Sequence, residues 1–509
     1  MTRRAKLLAL MVVGLALWAA GHRLNTVPRG AVDGGRAPRL SPDYVGVTIP
    51  PNIAPLNFRV AEPGRRYYAR LTGAKGRPIA VRGRGDQIRI PLRAWRALLA
   101  ANRGGELTFE VSVRAADGRW TRFAPVRNTV ANEPIDPYLV YRWFRPTYSS
   151  NTPLGIYQRD LTTFTQTPVF RSPSSGKRCV NCHAFADGNP QRFSFQVRGR
   201  GTEASMMMVD GKRARTIDTR TQPKQPPAAV TTWHPGGRWV IASRNWIRQY
   251  FHQAGSPGRD ALDAKSSLAL IDSQNDQVTQ PPALNVAETM PAFPCWSPDG
   301  KWLYYSRLKR FWPASVTMPV LQEKQIHYDL VRAPFDAERG EFGPAELVLA
   351  VADVQRSILE PRVSPDGRWL VVCLAGYGGF PIFRVPADLG LIDLSQRPWR
   401  AVSLNPQPDT TLRETWHSWS RNSRWLVNSR KTDNGLFARP YFRYVAADGT
   451  TSKPFSLPMA DPTQLDRSFY TYNLPELVTG PVTVSEGALT QAAGPVAPGR
   501  DQAESGQSP

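Results

Sequence analysis

The sequence predicts an all-β protein, a small β-sandwich followed by a ring of repeated sheets, and three observations predict it. Glycine and proline number 39 and 47 of 509 residues, and long amphipathic helical stretches are few, which disfavours an all-α or doubly wound α/β enzyme. Between residues 43 and 135, alternating segments (Tyr67 to Leu71, Gln87 to Ile90, Glu106 to Val113) are broken by turns such as Asp117-Gly118. One turn motif also recurs at long intervals through the rest of the chain. A hydrophobic content of 41% supports sizeable cores, so wholesale disorder is excluded.

The elements follow in order. Arg3, Arg4 and Lys6 precede an apolar run from Leu7 to Ala20, so residues 1–30 are expected to be a signal peptide or an N-terminal membrane anchor through residues 7–20. Either places the body of the chain in the periplasm, free or anchored facing it. Residues 43–135 form the sandwich, with Leu92 to Ala101 as its one helix. Residues 136–178 are an aromatic-rich connector carrying Tyr138, Tyr141, Trp143, Phe144 and Tyr157. Residues 179–480 are rich in strands, and residues 481–509, poor in bulky apolar side chains, are expected to be disordered. The net charge of +24 comes from only 11 lysines and from 54 arginines scattered without a dense run. No nucleic-acid partner is therefore expected.

The repeat is Trp233-His234-Pro235-Gly236-Gly237-Arg238-Trp239, then Trp296-Ser297-Pro298-Asp299-Gly300-Lys301-Trp302, Val363-Ser364-Pro365-Asp366-Gly367-Arg368-Trp369 and Trp419-Ser420-Arg421-Asn422-Ser423-Arg424-Trp425. Each copy precedes an alternating apolar strand. Proline presets φ, the Asp side chain caps the turn and glycine supplies positive φ. The copies stand 63, 67 and 56 residues apart, which suits propeller blades with loop insertions. A degenerate fifth copy lies at Phe185-Ala186-Asp187-Gly188. The repeats resemble those of TolB-like β-propellers, a resemblance that implies six blades with the residues before each turn on the innermost strand. Arg421-Asn422-Ser423 departs from Pro-Asp-Gly and is expected to weaken the fourth turn.

The second signal is Cys179-Val180-Asn181-Cys182-His183. Two thiols three apart, followed at once by histidine, form thioethers to both haem vinyl groups while the imidazole reaches the iron. A zinc site would need a second ligand pair, and Cys295 and Cys373 are solitary; both are expected to be buried small residues rather than a disulfide. Haem c, one and covalent, is the expected cofactor, with Cys179 and Cys182 as attachment points and His183 as proximal ligand. Cys182-His183-Ala184-Phe185 has the same offset from its turn as Trp416-His417-Ser418-Trp419, which puts the haem segment in the first blade.

With Pro50-Pro51-Asn52-Ile53-Ala54-Pro55-Leu56-Asn57-Phe58 and Gly155-Ile156-Tyr157-Gln158-Arg159-Asp160-Leu161 added, residues 43 to 480 resemble exported TolB-like proteins that carry a single c-type haem motif. The distal iron ligand is left open among Met207, Met206, Met208, His417, His234 and His252, and an open sixth position is the remaining alternative. The leading functional reading is electron transfer to or from a docked periplasmic redox partner. The alternatives are a haem-dependent oxidoreductase with a substrate in the propeller channel, where Glu288, Glu360 and Glu414 are candidate acids, and a protein- or glycan-binding propeller with structural haem.

Overall fold

The computed structural model describes residues 28, 30–146, 154–172, 179–198, 204–223, 225–251, 259–313, 320–405, 411, 413–431 and 435–494. Its N-terminal part is a sandwich of a seven-stranded and a three-stranded sheet. Phe58 of one sheet stacks on Phe109 of the other with ring centroids 6.1 Å apart. The helix Leu92–Ala101 closes the core edge with Trp95, Leu98 and Leu99, all buried, at the i, i+3, i+4 spacing that puts them on one face.

Six further sheets follow, and the contacts between their inner strands run in a closed ring: a β-propeller. The inner strands are Cys179–Phe185, Val230–Trp233, Thr289–Trp296, Ser357–Val363, Glu414–Trp419 and Thr471–Val478. In the first five blades, each inner strand ends at a tight turn. The ring thus has a turn face, and an opposite loop face where the inner strands begin.

The turns form as their residues dictate. Gly237, Gly300 and Gly367 have φ of 74°, 71° and 76°. In the Ser297 turn, Lys301 N donates to Asp299 Oδ1 at 3.1 Å and Trp302 N to Ser297 Oγ at 3.0 Å. The divergent fourth copy keeps this geometry: Arg424 N donates to Asn422 Oδ1 at 3.1 Å, Trp425 N donates to Ser420 Oγ at 3.0 Å, and Ser423 takes the left-handed place of glycine at φ 62°. The expected weakening is confined to the backbone cost of a side chain there, about 1 kcal/mol.

Two expectations about the chain's margins are corrected. The described part of 136–178 is no linker: Tyr138–Phe144, Leu154–Asp160 and Gln166–Arg171 are the successive outer strands of the sixth blade, all antiparallel, the first of them paired with the inner strand Thr471–Val478. The aromatic residues fill that blade, with Tyr141 and Tyr472 centroids 4.9 Å apart and Trp143 stacked on Tyr470 at 3.6 Å. The tail is ordered through residue 494. Glu486–Ala492 is a helix capped by Ser485, Leu489 is buried, and Arg171 clasps Glu486 at 2.7 Å. Residues 495–509 lie outside the described residues, as does the apolar run 7–20.

The sandwich core is continuous with blades five and six through Trp425, Val427, Phe442 and Leu477. Some of the arginine excess is structural. Arg384 and Arg443 are fully buried, the first paired with Asp260 and the second 3.6 Å from Glu414.

Candidate functional site

Five of the six inner strands carry a β-bulge whose first residue has a left-handed backbone: Cys182, Phe293, Glu360, Trp416 and Leu474, with φ of 44°, 52°, 53°, 48° and 53°. At each, the register with the neighbouring strand slips by one residue, because two residues of the bulged strand face one of its partner. The residue after the bulge position is therefore equivalent around the ring: His183, Pro294, Pro361, His417 and Pro475. His183 and His417 occupy the same seat in different blades.

The seats are built alike and used differently. His417 points toward the preceding blade, where its Nε2 donates to the Val371 carbonyl at 3.1 Å. Val371 stands opposite Arg362 in its sheet. The equivalent carbonyl beside His183 belongs to Val140, opposite Glu476. The Val140 and Leu474 carbonyls lie close enough to favour the charged imidazole slightly, yet neither makes a hydrogen bond of acceptable geometry. At 6% exposure, both His183 ring nitrogens are buried and unpartnered. Burial pushes its pKa down to about 4, so the imidazole is neutral near pH 7. A neutral imidazole with an unengaged ring nitrogen can bind a metal, the other N–H normally donating to a carbonyl or carboxylate; buried with neither nitrogen hydrogen-bonded, it is costly as a packing group.

The thiols flank this seat. Cys179 begins its strand, partly exposed at the loop face, with Arg142 Nη2 3.7 Å from its sulfur and Arg142 Nε donating to the Val180 carbonyl at 2.8 Å. Cys182 is buried, and burial raises its pKa. Neither is in a disulfide. Two free thiols and an unpaired neutral imidazole fit the donor set of a covalently attached haem.

The other candidates fall elsewhere. Met206, Met207 and Met208 lie on the strand Ala204–Asp210, two strands out from the bulge. Met207 stands opposite Phe195 in the core between blades one and six, while Met206 and Met208 pack with Trp233 and Ile217 toward blade two. Phe195 separates Met207 from the His183 seat, so the structure does not bring Met207 to His183, and the three methionines act as packing. His234 is a turn group: Nδ1 accepts from Gly236 N at 3.0 Å and Nε2 donates to the Gly300 carbonyl at 3.1 Å. His252 lies outside the described residues. Cys295 and Cys373 are buried and unpaired with each other.

Of the candidate acids, Glu288 is exposed and bound to Arg310 at 2.8 Å, and Glu414 is buried between Arg430 and Arg443 at 3.8 and 3.6 Å. Glu360 accepts from Trp416 N at 2.6 Å, and burial pushes it up to about 7. Two channel residues were missed by sequence reasoning, Arg362 and Glu476. The signal was present: Leu474-Pro475-Glu476-Leu477 has the proline spacing of Glu360-Pro361-Arg362-Val363 and Phe293-Pro294-Cys295-Trp296.

No family model matches the chain, and no curated protein does. Among solved structures it is similar to a luciferin-regenerating enzyme at 13% identity and TM-score 0.36, over 60% of this chain and 91% of that one. It is likewise similar to a putative 6-phosphogluconolactonase from Bacteroides fragilis at 9% and 0.33, over 78% and 96%. A third is the Kuenenia stuttgartiensis hydrazine synthase at 10% and 0.33, over 58% and 73%. These likenesses carry no inference about activity or ligand.

Proposed function

We propose that this protein is an exported c-type cytochrome on a TolB-like β-propeller, with one haem joined to Cys179 and Cys182 and with His183 on the iron. We further propose that it exchanges electrons with a periplasmic partner docking at the loop face. The observation that carries the reading is the contrast between two equivalent seats: the His417 Nε2 is hydrogen-bonded to the Val371 carbonyl, while the His183 imidazole, in a CxxCH motif, is buried beside the Val140 and Leu474 carbonyls with neither nitrogen in a hydrogen bond of ordinary geometry. A haem so held supplies a one-electron iron couple. The chain's own part is to present two thiols and a neutral imidazole from one rigid strand, with Arg142 placing positive charge beside Cys179. Mass spectrometry of protein matured in a host with c-type attachment should find one haem-sized adduct on the peptide holding Cys179 and Cys182. An unmodified peptide in folded protein would overturn the reading.

Because the methionines pack in cores, Met207→Leu is expected to leave the absorption spectrum of the oxidised protein unchanged. The swap conserves volume and should cost less than about 1.5 kcal/mol, readable as a small fall in melting temperature. Loss of a sulfur-to-iron charge-transfer band would instead make Met207 a ligand.

A further inference from the structure

The turn end of the channel holds a cavity of about 170 Å³ whose lining includes Thr232, Trp296, Arg362, His417, Ser418 and Glu476. It opens at the turn face, and its lining also includes His183 and Phe185, from the turn end of the strand that Cys179 begins. Two guanidinium groups line it, Arg362 and Arg421, and Arg421 is paired with Asp187 at 2.9 Å. The Arg362 guanidinium forms no salt bridge with a carboxylate among the described residues; its Nη1 donates to the adjacent Pro361 carbonyl at 2.9 Å, it lies beside the Cys295 thiol, and it is half-buried, so it keeps donors that a ligand can reach. The nearby acids interact with its charge through space without forming a salt bridge to it. Glu476 accepts from Phe185 N at 2.9 Å, Glu360 is held by Trp416 N, and burial pushes both up to about 7. His417, 3% exposed, keeps an unpartnered Nδ1 beside the cavity. The polar end of the cavity is thus not satisfied from within, while Trp233, Trp296 and Trp416 supply apolar wall.

We propose that the turn end of the channel is a binding site for a small organic carboxylate, its carboxylate held by Arg362 and its apolar part against the tryptophans. A planar guanidinium matches a carboxylate through two parallel hydrogen bonds, and in a partly dehydrated site that pairing is stronger than in water. The volume suits the apolar part: a cavity of about 150 Å³ takes up benzene. The proposal goes beyond the cytochrome reading and does not require haem.

The test is calorimetric titration of the full chain with benzoate and with benzyl alcohol, its neutral isostere. One benzoate per chain is expected, with benzyl alcohol and the Arg362→Gln variant each about ten-fold weaker or worse, a difference of about 1.4 kcal/mol. Arg362→Lys should recover part of the loss. Thr232→Phe, which fills the cavity, gives a second route should Arg362→Gln not fold; it is expected to abolish binding. Absence of heat at millimolar benzoate, equal affinity for the alcohol, or wild-type affinity in the variants would overturn the proposal. Haem content measured on the same samples separates the two ideas. Because His183 also lines the cavity, the titration is run on haem-free and haem-loaded protein: absence of benzoate binding in folded haem-free protein defeats the carboxylate site, and absence of the haem adduct after maturation defeats the cytochrome.

Discussion

A chain ended at Tyr470 is expected to show no cooperative thermal transition. The deleted segment holds Thr471–Val478, the inner strand of blade six, hydrogen-bonded to Tyr138–Phe144 and packed between the inner strands of blades one and five. With it go Tyr472, Leu477 and Val478, all buried, and the helix carrying Leu489. Removing one large buried side chain costs about 2–5 kcal/mol, so four together approach or exceed the about 5–15 kcal/mol of a typical domain. The three outer strands of blade six would also present an unpaired edge, Tyr138–Phe144, to solvent. Near-UV circular dichroism during heating reads the result, and a sharp melt within a few degrees of the full chain's would show that the ring does not depend on this strand.

His183→Ala and His417→Ala are expected to differ sharply although they remove the same side chain from equivalent seats. With haem attached, His183→Ala should keep the thioether adduct but change the spin state and shift the reduction potential, because the thioethers hold the macrocycle while the imidazole sets the iron's field. His417→Ala should leave the spectrum as in wild type and act on stability. It strands the Val371 carbonyl, which costs about 1–3 kcal/mol for an unsatisfied buried group, and it opens a void beside Trp416. Identical spectra for His183→Ala and wild type would remove His183 from the iron.

What the sequence disclosed, and what it hid, follows from where each feature's partners lie. The four turn motifs are local and were legible as a repeat: two copies encode the turn with Pro-Asp-Gly, the first with Pro-Gly-Gly, and the fourth, Arg421-Asn422-Ser423, was recognised by its flanking tryptophans. The helix Leu92–Ala101 was legible for the same reason, through its periodicity. The sixth blade was not, because Tyr138–Phe144 finds its inner neighbour more than 300 residues later in Thr471–Val478, and no turn links them. Its aromatic residues therefore read as the lining of a connector. The offset of the CxxCH pentad from its turn was legible as position, but the unpartnered state of the His183 ring nitrogens appears only when Val140 and Leu474, far apart in sequence and on paired strands, meet beside them. Met207 misled because a distance of 25 residues places it one strand beyond Phe195, where the pleat turns it into the core.

The closing strand also imposes a sequence of events in time. The wall beside His183 includes Leu474, which leaves the ribosome 291 residues after it. Until then Cys182, buried in the finished ring, is reachable on an open chain. Any enzyme that modifies this thiol therefore has its opportunity between synthesis of residue 183 and docking of Thr471–Val478, an interval set by the length of intervening polypeptide. Circular permutants that begin near residue 179 and join the old termini would deliver the last strand before the thiols and remove that interval, leaving the finished fold unchanged.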